Sequence, residues 1–140
     1  MKANKLTIEE QFLTLDQAKE LQELGVDIYG NFEIDIDDNG FETIEKVGTF
    51  ASDTFEYYKK SIPTLSVAEM LEMLPKCIEV KDVLYELYLK KSSFYVKNIA
   101  YELGYRGYLN ELLCINKYIH TLLRDSLFEM LKWLKQNKLI

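Results

Sequence analysis

Acidic residues at alternate positions in the N-terminal half are the residue types that could bind a cation. The opening D-x-D-x-N-G of an EF-hand calcium loop is matched by Asp35, Asp37, Asn39 and Gly40. The twelfth position of that loop requires a bidentate glutamate, and this chain has Lys46 there, with Glu45 one position early. Solvated charges on a β-hairpin are therefore the favoured interpretation, and a calcium site at Asp35, Asp37 and Asn39 is the alternative.

His120 is the only histidine of the chain and the second candidate for chemistry. It comes at the start of the predicted last helix. A catalytic base needs an orienting partner and a zinc site needs further ligands, and neither the residues around His120 nor the widely separated Cys77 and Cys114 supply them. We therefore expect His120 to pack or cap, both cysteines to be buried thiols, and the protein to have no catalytic residue and no cofactor.

Aromatic and basic residues interleave in the C-terminal half, and Tyr95, Lys97 and Arg106 belong to this pattern. Single-stranded nucleic acid is often bound by base stacking on aromatic rings together with phosphate contacts from cations. The other interpretation is that the aromatic side chains form the core of a sheet while the lysines line its wet edge. Because no RNP-type motif is present, the sheet core is favoured and nucleic acid is not the expected partner.

Charge is unevenly distributed along the chain. Residues 1–75 carry 6 Lys and 16 Asp or Glu, net −10, whereas residues 76–140 carry 11 Lys or Arg and 7 Asp or Glu, net +4. Opposite charges of this kind can attract each other within one molecule or between two. The overall charge of −6 also disfavours duplex nucleic acid, whose phosphates favour a basic surface. We therefore expect a protein partner or self-association.

Length and composition predict a single α+β domain over residues 1–140. A chain of 140 residues with 48% hydrophobic content can form one core and is short for two. With 2 prolines and 6 glycines, it shows no candidate linker. No stretch approaches the roughly 20 apolar residues of a membrane helix, and no apolar run of a signal peptide follows Met1, which predicts a cytoplasmic protein that does not bind membranes.

Three helices are predicted from apolar periodicity and capping residues. Thr14 with Gln17, and Ser66 with Glu69, have the spacing of capping boxes, so helices are expected at 15–24 and 66–74. The apolar side of the last predicted helix consists of Ile119, Leu123, Leu127, Met130 and Leu134. Phe128 falls among the polar positions of that helix, where it either packs on a second element or is exposed as a partner-binding residue.

Strands are predicted on both sides of the second helix. Asn39-Gly40 between two alternating runs predicts a hairpin within 26–50. A longer hairpin is predicted over 83–103, with a polar break at 91–93, and 77–80 is a candidate third strand. Residues 51–61 favour a strand, Pro63 leads into the second helix, and 104–117 has no steady period and is expected to be a loop. The resulting fold is an antiparallel sheet with about three helices packed mainly on one face.

The segments that carry a resemblance to known proteins are FLTLDQAKEL at 12–21, IPTL through Pro75 at 62–75, and LRDSLFEMLKWL at 123–134. They are similar to a group of small uncharacterised bacterial proteins carried on prophages and mobile elements, and they cover roughly a quarter of the chain in amphipathic segments. The resemblance implies a small α+β domain of unknown function, and it carries over no catalytic residue.

The function expected from these patterns is that of a non-catalytic interaction or accessory protein, related to phages or mobile elements through the resemblance. Phe128 and the opposite charges of the two halves are the expected contacts. One alternative is a weak single-stranded nucleic-acid-binding module that uses Tyr95, Lys97 and Arg106. The other is a small enzyme with an unrecognised site.

Overall fold

A computed structural model describes residues 7–28, 30–47, 58–95 and 98–140, with the backbone alone at 58–60, 92–95 and 98. The chain divides into two compact units, 1–69 and 70–140. Three α-helices and two antiparallel sheets are present in the described residues, which confirms the α+β class. Two sheets form where one was expected, because each described strand pairs only with strands of its own unit. A single domain over 1–140 stays a prediction.

The first unit contains helix α1, Leu15–Glu23. Its predicted capping box is confirmed, because the Thr14 hydroxyl accepts the Gln17 N–H at 3.2 Å and the Gln17 side chain accepts the Thr14 N–H at 3.0 Å. Ala18 and Leu21 form the buried side of the helix. A short amphipathic helix of this kind is stabilised by its cap and by the burial of one apolar side.

The first sheet has the order β2-β1-β3, with β1 at Phe32–Asp37, β2 at Glu42–Lys46 and β3 at Tyr58–Thr64. The predicted hairpin at Asn39-Gly40 is confirmed as the connection between β1 and β2. Gly40 has a φ of +80°, a left-handed conformation that glycine adopts without strain.

Asp37 fixes the turn of this hairpin. Its carbonyl accepts the Gly40 N–H at 3.0 Å, and its Oδ1 accepts the N–H groups of Asn39 and Phe41 at 2.8 Å each. Asp, Asn and Gly are the residues that such turns prefer, because the aspartate side chain replaces missing backbone acceptors and the glycine tolerates positive φ.

Strand β3 differs from its prediction at its C-terminal end. The strand favoured at 51–61 is confirmed at 58–61, and 51–57 lie outside the described residues. β3 then continues through Pro63, where a connection to the second helix was expected. Pro63 is tolerated because β3 is an edge strand, in which a residue without an N–H does not interrupt pairing on both sides.

Helix α2 spans Val67–Met73, and the carboxylate of Glu69 in its first turn contacts two segments of the first unit. Glu69 Oε1 accepts the Ser66 N–H at 3.1 Å while the Ser66 hydroxyl accepts the Glu69 N–H at 3.1 Å, which confirms the predicted capping box. Glu69 Oε2 accepts the Asn31 N–H at 3.0 Å, one residue before β1. The same side chain therefore caps a helix and fixes the start of a strand.

The second sheet has the order β4-β5-β6-β7. Its strands are β4 at Cys77–Val80, β5 at Val83–Tyr95, β6 at Asn98–Gly107 and β7 at Cys114–His120. The predicted long hairpin and the strand at 77–80 are confirmed. The prediction of a polar break at 91–93 is wrong. β5 continues through these residues, because backbone pairing with β6 does not depend on the polarity of the side chains.

The expected loop at 104–117 is also wrong. β6 extends to Gly107 and β7 begins at Cys114, so only 108–113 connect the strands. The pairing between β6 and β7 shifts in register between Tyr105 and Arg106. Such an irregularity breaks the alternation of side chains, and this is why the sequence showed no strand period here.

Helix α3, Leu123–Gln136, packs on β6 and β7. It begins later than predicted, since Ile119 and His120 are the last residues of β7. The apolar helix residues with no exposed surface are Leu127, Met130, Leu131 and Leu134. Leu103 and Tyr105 on β6 are equally buried. None of the helices in the described residues is long and apolar enough to span a membrane.

Candidate functional site

One end of the second sheet carries six of the thirteen large apolar side chains that are exposed in the described residues. We call these six the apolar end: Val83, Leu84, Tyr108, Leu109, Leu112 and Leu113. Leu109 is 94% exposed and Leu112 is 92% exposed. Side chains left in water to this extent contribute nothing to folding through the hydrophobic effect.

The loop 108–113 holds these leucines on a defined backbone. The Gly107 N–H donates to the Leu113 carbonyl at 2.7 Å, which closes the loop. Inside the loop, the Asn110 carbonyl accepts the Leu113 N–H at 3.1 Å and Asn110 Oδ1 accepts the Leu112 N–H at 3.0 Å. The exposed side chains are therefore displayed by a hydrogen-bonded turn.

Gly107 is required where this loop begins. A Cβ at this position would lie 2.6 Å from the Asn110 carbonyl oxygen and 3.1 Å from the Leu113 Cβ. Because the nearer atom belongs to the backbone, it cannot move aside without opening the loop. Glycine at 107 therefore permits the close turn that displays Leu109 and Leu112.

A mainly apolar groove of about 310 Å³ lies beside the loop. Its apolar lining comes from Val83, Leu84, Tyr108, Leu109 and Leu113, and Asp82 also lines it. The Tyr108 N–H donates to the Leu84 carbonyl at 3.0 Å, which ties the loop to β5. The volume is at the small end of ligand sites and can take one or two apolar side chains.

The turn between β4 and β5 borders the same groove. Val80 pairs with Val83, so Lys81 and Asp82 form a two-residue turn, with φ values of 50° and 64°. Turns of this kind prefer Asn-Gly, because both central residues need positive φ. Left-handed conformations cost other residues roughly 1–2 kcal/mol each. Aspartate tolerates positive φ better than most residues do, so local conformational preference leaves mainly Lys81 unexplained in this turn.

The face of the second sheet opposite α3 has another groove, of about 480 Å³. Its charged lining residues are Lys90, Glu102, Arg106, Glu111 and Lys117. Arg106 Nε lies 3.7 Å from Glu86 Oε1, and Lys117 Nζ lies 3.9 Å from Glu102 Oε1. The charges of this polar groove therefore largely neutralise one another, and partly exposed pairs of this length contribute little to stability.

The side chain of Tyr88 lines the polar groove and lies over Gly104, its pairing partner on β6. A Cβ at Gly104 would be 2.8 Å from Tyr88 Cε1, so a larger residue would displace the ring. The Arg106 guanidinium carbon lies 5.1 Å from the ring centroid. Burial raises the pKa of the Tyr88 hydroxyl, and hydrogen bonding with Glu102 and the proximity of Cys114 raise it further. The phenol is therefore a hydrogen-bond donor near neutral pH and not a base.

The first sheet has a polar cluster on β1 and its neighbours. Asp35 is 2% exposed, and its Oδ1 accepts the Ser61 hydroxyl at 2.7 Å. Burial raises the pKa of Glu33, and the neighbouring carboxylates of Asp35 and Glu45 raise it further. Thr43 Oγ1 is buried without a hydrogen-bond partner among the described residues. Within that part of the chain, no three His, Cys, Asp or Glu side chains are grouped as a metal site.

The residues predicted for calcium lie on the β1–β2 hairpin. Asp35 is buried in β1, Asp37 ends that strand, and Asn39 is in the turn. An EF-hand would place these residues between two helices, so the structure contradicts that geometry and supports the hairpin interpretation. Asp37 Oδ1 also already accepts two backbone N–H groups. Calcium binding as such stays a prediction.

Phe128 is 6% exposed, which corrects the prediction of an exposed partner-binding residue. Lys132 Nζ lies 5.9 Å from the centroid of its ring. The buried side of α3 is wider than its apolar periodicity predicted. The helix packs on two strands, β6 and β7, and therefore buries Leu127, Phe128 and Leu131 side by side. Packing, the other interpretation of Phe128, is supported.

Of the three residues predicted to bind nucleic acid, the structure describes the side chain of Arg106 alone. Lys97 and the side chain of Tyr95 lie outside the described residues. Arg106 is in the polar groove, where it contacts Glu86 and Tyr88. Whether the three residues form one nucleic-acid-binding surface therefore stays a prediction.

The histidine and the cysteines differ from their predictions. His120 is half-buried at the end of β7, where it pairs with Tyr101, and does not begin the last helix. Cys77 and Cys114 are both exposed, which corrects the prediction of buried thiols. Both lie on edge strands, β4 and β7, whose side chains are covered less than those of central strands.

Sequence reasoning did not predict the apolar end. The signal for it in the sequence is the segment Tyr-Leu-Asn-Glu-Leu-Leu at 108–113. This segment is mainly apolar, although Gly107 before it is typical of the start of a surface turn. Connecting segments are normally polar because they run over the surface. An apolar connecting segment that is exposed departs from this rule, and the prediction of a loop at 104–117 did not take it into account.

Comparison with known proteins assigns this chain to no family. A search of protein-family models, of curated proteins and of solved structures finds no match to it.

Proposed function

We propose that this protein is a non-catalytic interaction protein and that the apolar end is its contact surface. The observation that carries the proposal is the exposure of Leu109 and Leu112, at 94% and 92%, on a hydrogen-bonded loop. Burying a leucine side chain contributes roughly 1.5–3 kcal/mol. Neither leucine obtains this contribution in the described chain, so it is available to a partner.

The order of the loop favours binding. Association normally costs the conformational entropy of the groups that become fixed. In loop 108–113 the backbone is already fixed by Gly107, Asn110 and Leu113, so a partner has mainly the two leucine side chains to order. The adjacent groove of about 310 Å³ offers a recess for an apolar side chain of the partner.

The test is a selection of displayed random peptides against the full chain, followed by binding measurements on Leu109→Asp and Leu112→Asp. We expect selected peptides to contain an apolar anchor and to lose at least tenfold in affinity on each variant, because an aspartate would have to be desolvated at the contact. Both leucines are almost fully exposed, so the variants should keep the circular dichroism spectrum and melting temperature of the wild type.

Phe41→Asp is the matched control for this selection. Phe41 is 68% exposed on the first unit and lies outside the apolar end. Peptides that bind through the apolar end should keep their affinity for this variant. The proposal fails if no selected peptide depends on Leu109 or Leu112, or if Phe41→Asp weakens binding as much as they do.

A single-stranded nucleic-acid-binding module is the second hypothesis, and the contact of Arg106 with the Tyr88 ring favours it. An arginine and an aromatic ring on an open sheet face are a combination that stacks bases. Glu86 and Glu102 beside them oppose phosphate binding, so the hypothesis ranks below a protein contact. The small-enzyme hypothesis, with a site that draws on His120 or the carboxylates, stays a prediction, and the link to phages or mobile elements has the support of the sequence resemblance alone.

A further inference from the structure

The size of the apolar end fits an interface between two copies of this chain. If a fully exposed leucine or tyrosine presents about 200 Å², the exposed fractions of the six residues correspond to roughly 700 Å² per chain. If all of this surface were covered, two copies would together bury at most roughly 1,400 Å², which is within the usual range for specific interfaces and above the roughly 1,000 Å² expected of a biological one.

The shape of the apolar end fits the same interface. Leu112 projects from the loop and lines the polar groove, whereas Leu109 and Leu113 line the apolar groove. A projection and a recess therefore lie on the two sides of one short loop. Under two-fold symmetry each copy can insert its projection into the recess of the other, so a single surface is complementary to itself.

Charges at the margin of the apolar end are also complementary between copies. Lys81 lies in the β4–β5 turn beside the groove, and Glu111 lies on the projecting loop, and both are exposed. When the loop of one copy is seated beside the turn of the other, Glu111 approaches the partner's Lys81, and the symmetry makes this pair twice. Asp82 in the same turn carries the same sign as Glu111 and limits the attraction.

We propose that two copies form a two-fold dimer in which the loop 108–113 of each chain packs into the apolar groove of the other. The inference rests on the proposed function, since it names a second copy as the partner of the same surface. It also gives the strained turn at Lys81 and Asp82 a role, because Asn-Gly there would supply no cation for Glu111.

Sedimentation equilibrium of the full chain, across a wide range of concentrations, tests the dimer. We expect a reversible monomer–dimer equilibrium in the wild type and at least a tenfold larger dissociation constant for Leu112→Asp and for Leu109→Asp. Phe41→Asp should leave the constant unchanged. Circular dichroism and melting of the monomer should be the same for all variants, which separates loss of contact from loss of fold.

A charge exchange tests the arrangement of the two copies. Lys81→Glu and Glu111→Lys should each weaken the dimer severalfold, and the double variant should recover most of the loss, because the pair is re-formed with reversed signs. A double variant that is as weak as the sum of the single changes would overturn this arrangement.

Two further outcomes would overturn the dimer. A wild-type chain that stays monomeric at every concentration excludes self-association, and so does a dimer that Phe41→Asp disrupts and Leu112→Asp does not. The peptide selection then decides the proposed function separately: peptides that depend on Leu109 and Leu112 would retain the contact surface and assign it to another protein. If the chain is monomeric and no such peptide exists, both proposals fail.

Discussion

The β1–β2 hairpin and the β4–β5 turn both reverse the chain, but their residues suit the turn geometry to different degrees. In the hairpin, Asp37 accepts two N–H groups and Gly40 takes the positive φ, so each residue suits its position. In the β4–β5 turn, Lys81 and Asp82 take positive φ values that favour Asn and Gly. The hairpin residues thus suit their backbone conformations, whereas Lys81 of the second turn does not.

The hairpin and the loop 108–113 differ in polarity as well. Asp38 and Asn39 are exposed at the tip of the hairpin, as expected of a surface turn, whereas Leu109 and Leu112 are exposed on the loop 108–113. Departures from local conformational and polarity rules are expected mainly at functional or strained sites. The exposed leucines of the loop 108–113 are such a departure, and this is consistent with the contact surface that we propose.

The largest expected effect separates the β1–β2 hairpin from the loop 108–113 by their glycines. Gly107→Ala should lower the free energy of unfolding by about 2 kcal/mol or more, because its Cβ would lie 2.6 Å from a backbone oxygen. Gly40→Ala should cost about 1 kcal/mol, since its Cβ meets open space and only the positive φ is unfavourable. Urea denaturation of both variants measures the difference in the free energy of unfolding. A larger cost at Gly40 would show that crowding at Gly107 is not the stronger constraint.

An intermediate effect is expected from giving the β4–β5 turn the residues that its geometry prefers. Lys81→Asn with Asp82→Gly should raise the free energy of unfolding by about 1 kcal/mol, since two strained residues are replaced by ones that adopt positive φ readily. Thermal melting measures the gain, and Asn39→Lys in the first hairpin, where φ is not positive, is the comparison. No gain in the first variant would mean that the turn is not strained.

The smallest effect concerns the polar cluster of the first sheet. Because burial and neighbouring carboxylates raise the pKa of Glu33 above its ordinary value of 4.5, the folded chain holds this proton more tightly than the unfolded chain. Stability is therefore lost as the pH rises from the ordinary to the raised value. Glu33→Gln should melt at the wild-type temperature below pH 4.5 and slightly above it at neutral pH.

Glu42→Gln is the control for that titration, since Glu42 is exposed on β2. It should leave the pH dependence of melting unchanged. A Glu33→Gln variant that is less stable than the wild type at neutral pH would show that the Glu33 carboxylate is stabilising, contrary to the direction given by its surroundings. The effect is small because Glu33 is partly exposed and solvent screens the repulsion.

The sequence predicted those parts of the fold that depend on neighbouring residues. Both capping boxes, at Thr14 and at Ser66, and the hairpin at Asn39-Gly40 are fixed by interactions within about four positions, so their residue types are sufficient evidence. The long β5–β6 hairpin was also predicted, because each strand shows a local period-two pattern, although the paired residues are up to 22 positions apart, as at Tyr85 and Gly107.

Other parts depend on which neighbour covers a residue, and these were not predictable. Ile119 continues the helical pattern of Leu123, yet it lies in β7, since a spacing of four residues also occurs by chance where a strand meets a helix. Phe128 had both a packing and an exposed interpretation, and Leu109 fell in a segment predicted only as a loop. The structure buries the first and exposes the second. Apolar residue type gives a preference for burial and does not say which leucines a fold leaves uncovered.

The carboxylate of Glu69 has a consequence for how the first unit opens. Since its two oxygens hold the amides of Ser66 and Asn31, which are 35 positions apart, neither hydrogen bond can be lost by rotation of this side chain without the other. Those two amides should therefore exchange their protons with deuterated solvent at a common rate, as members of one cooperative unit. A helix start and a strand start thereby share a single opening event.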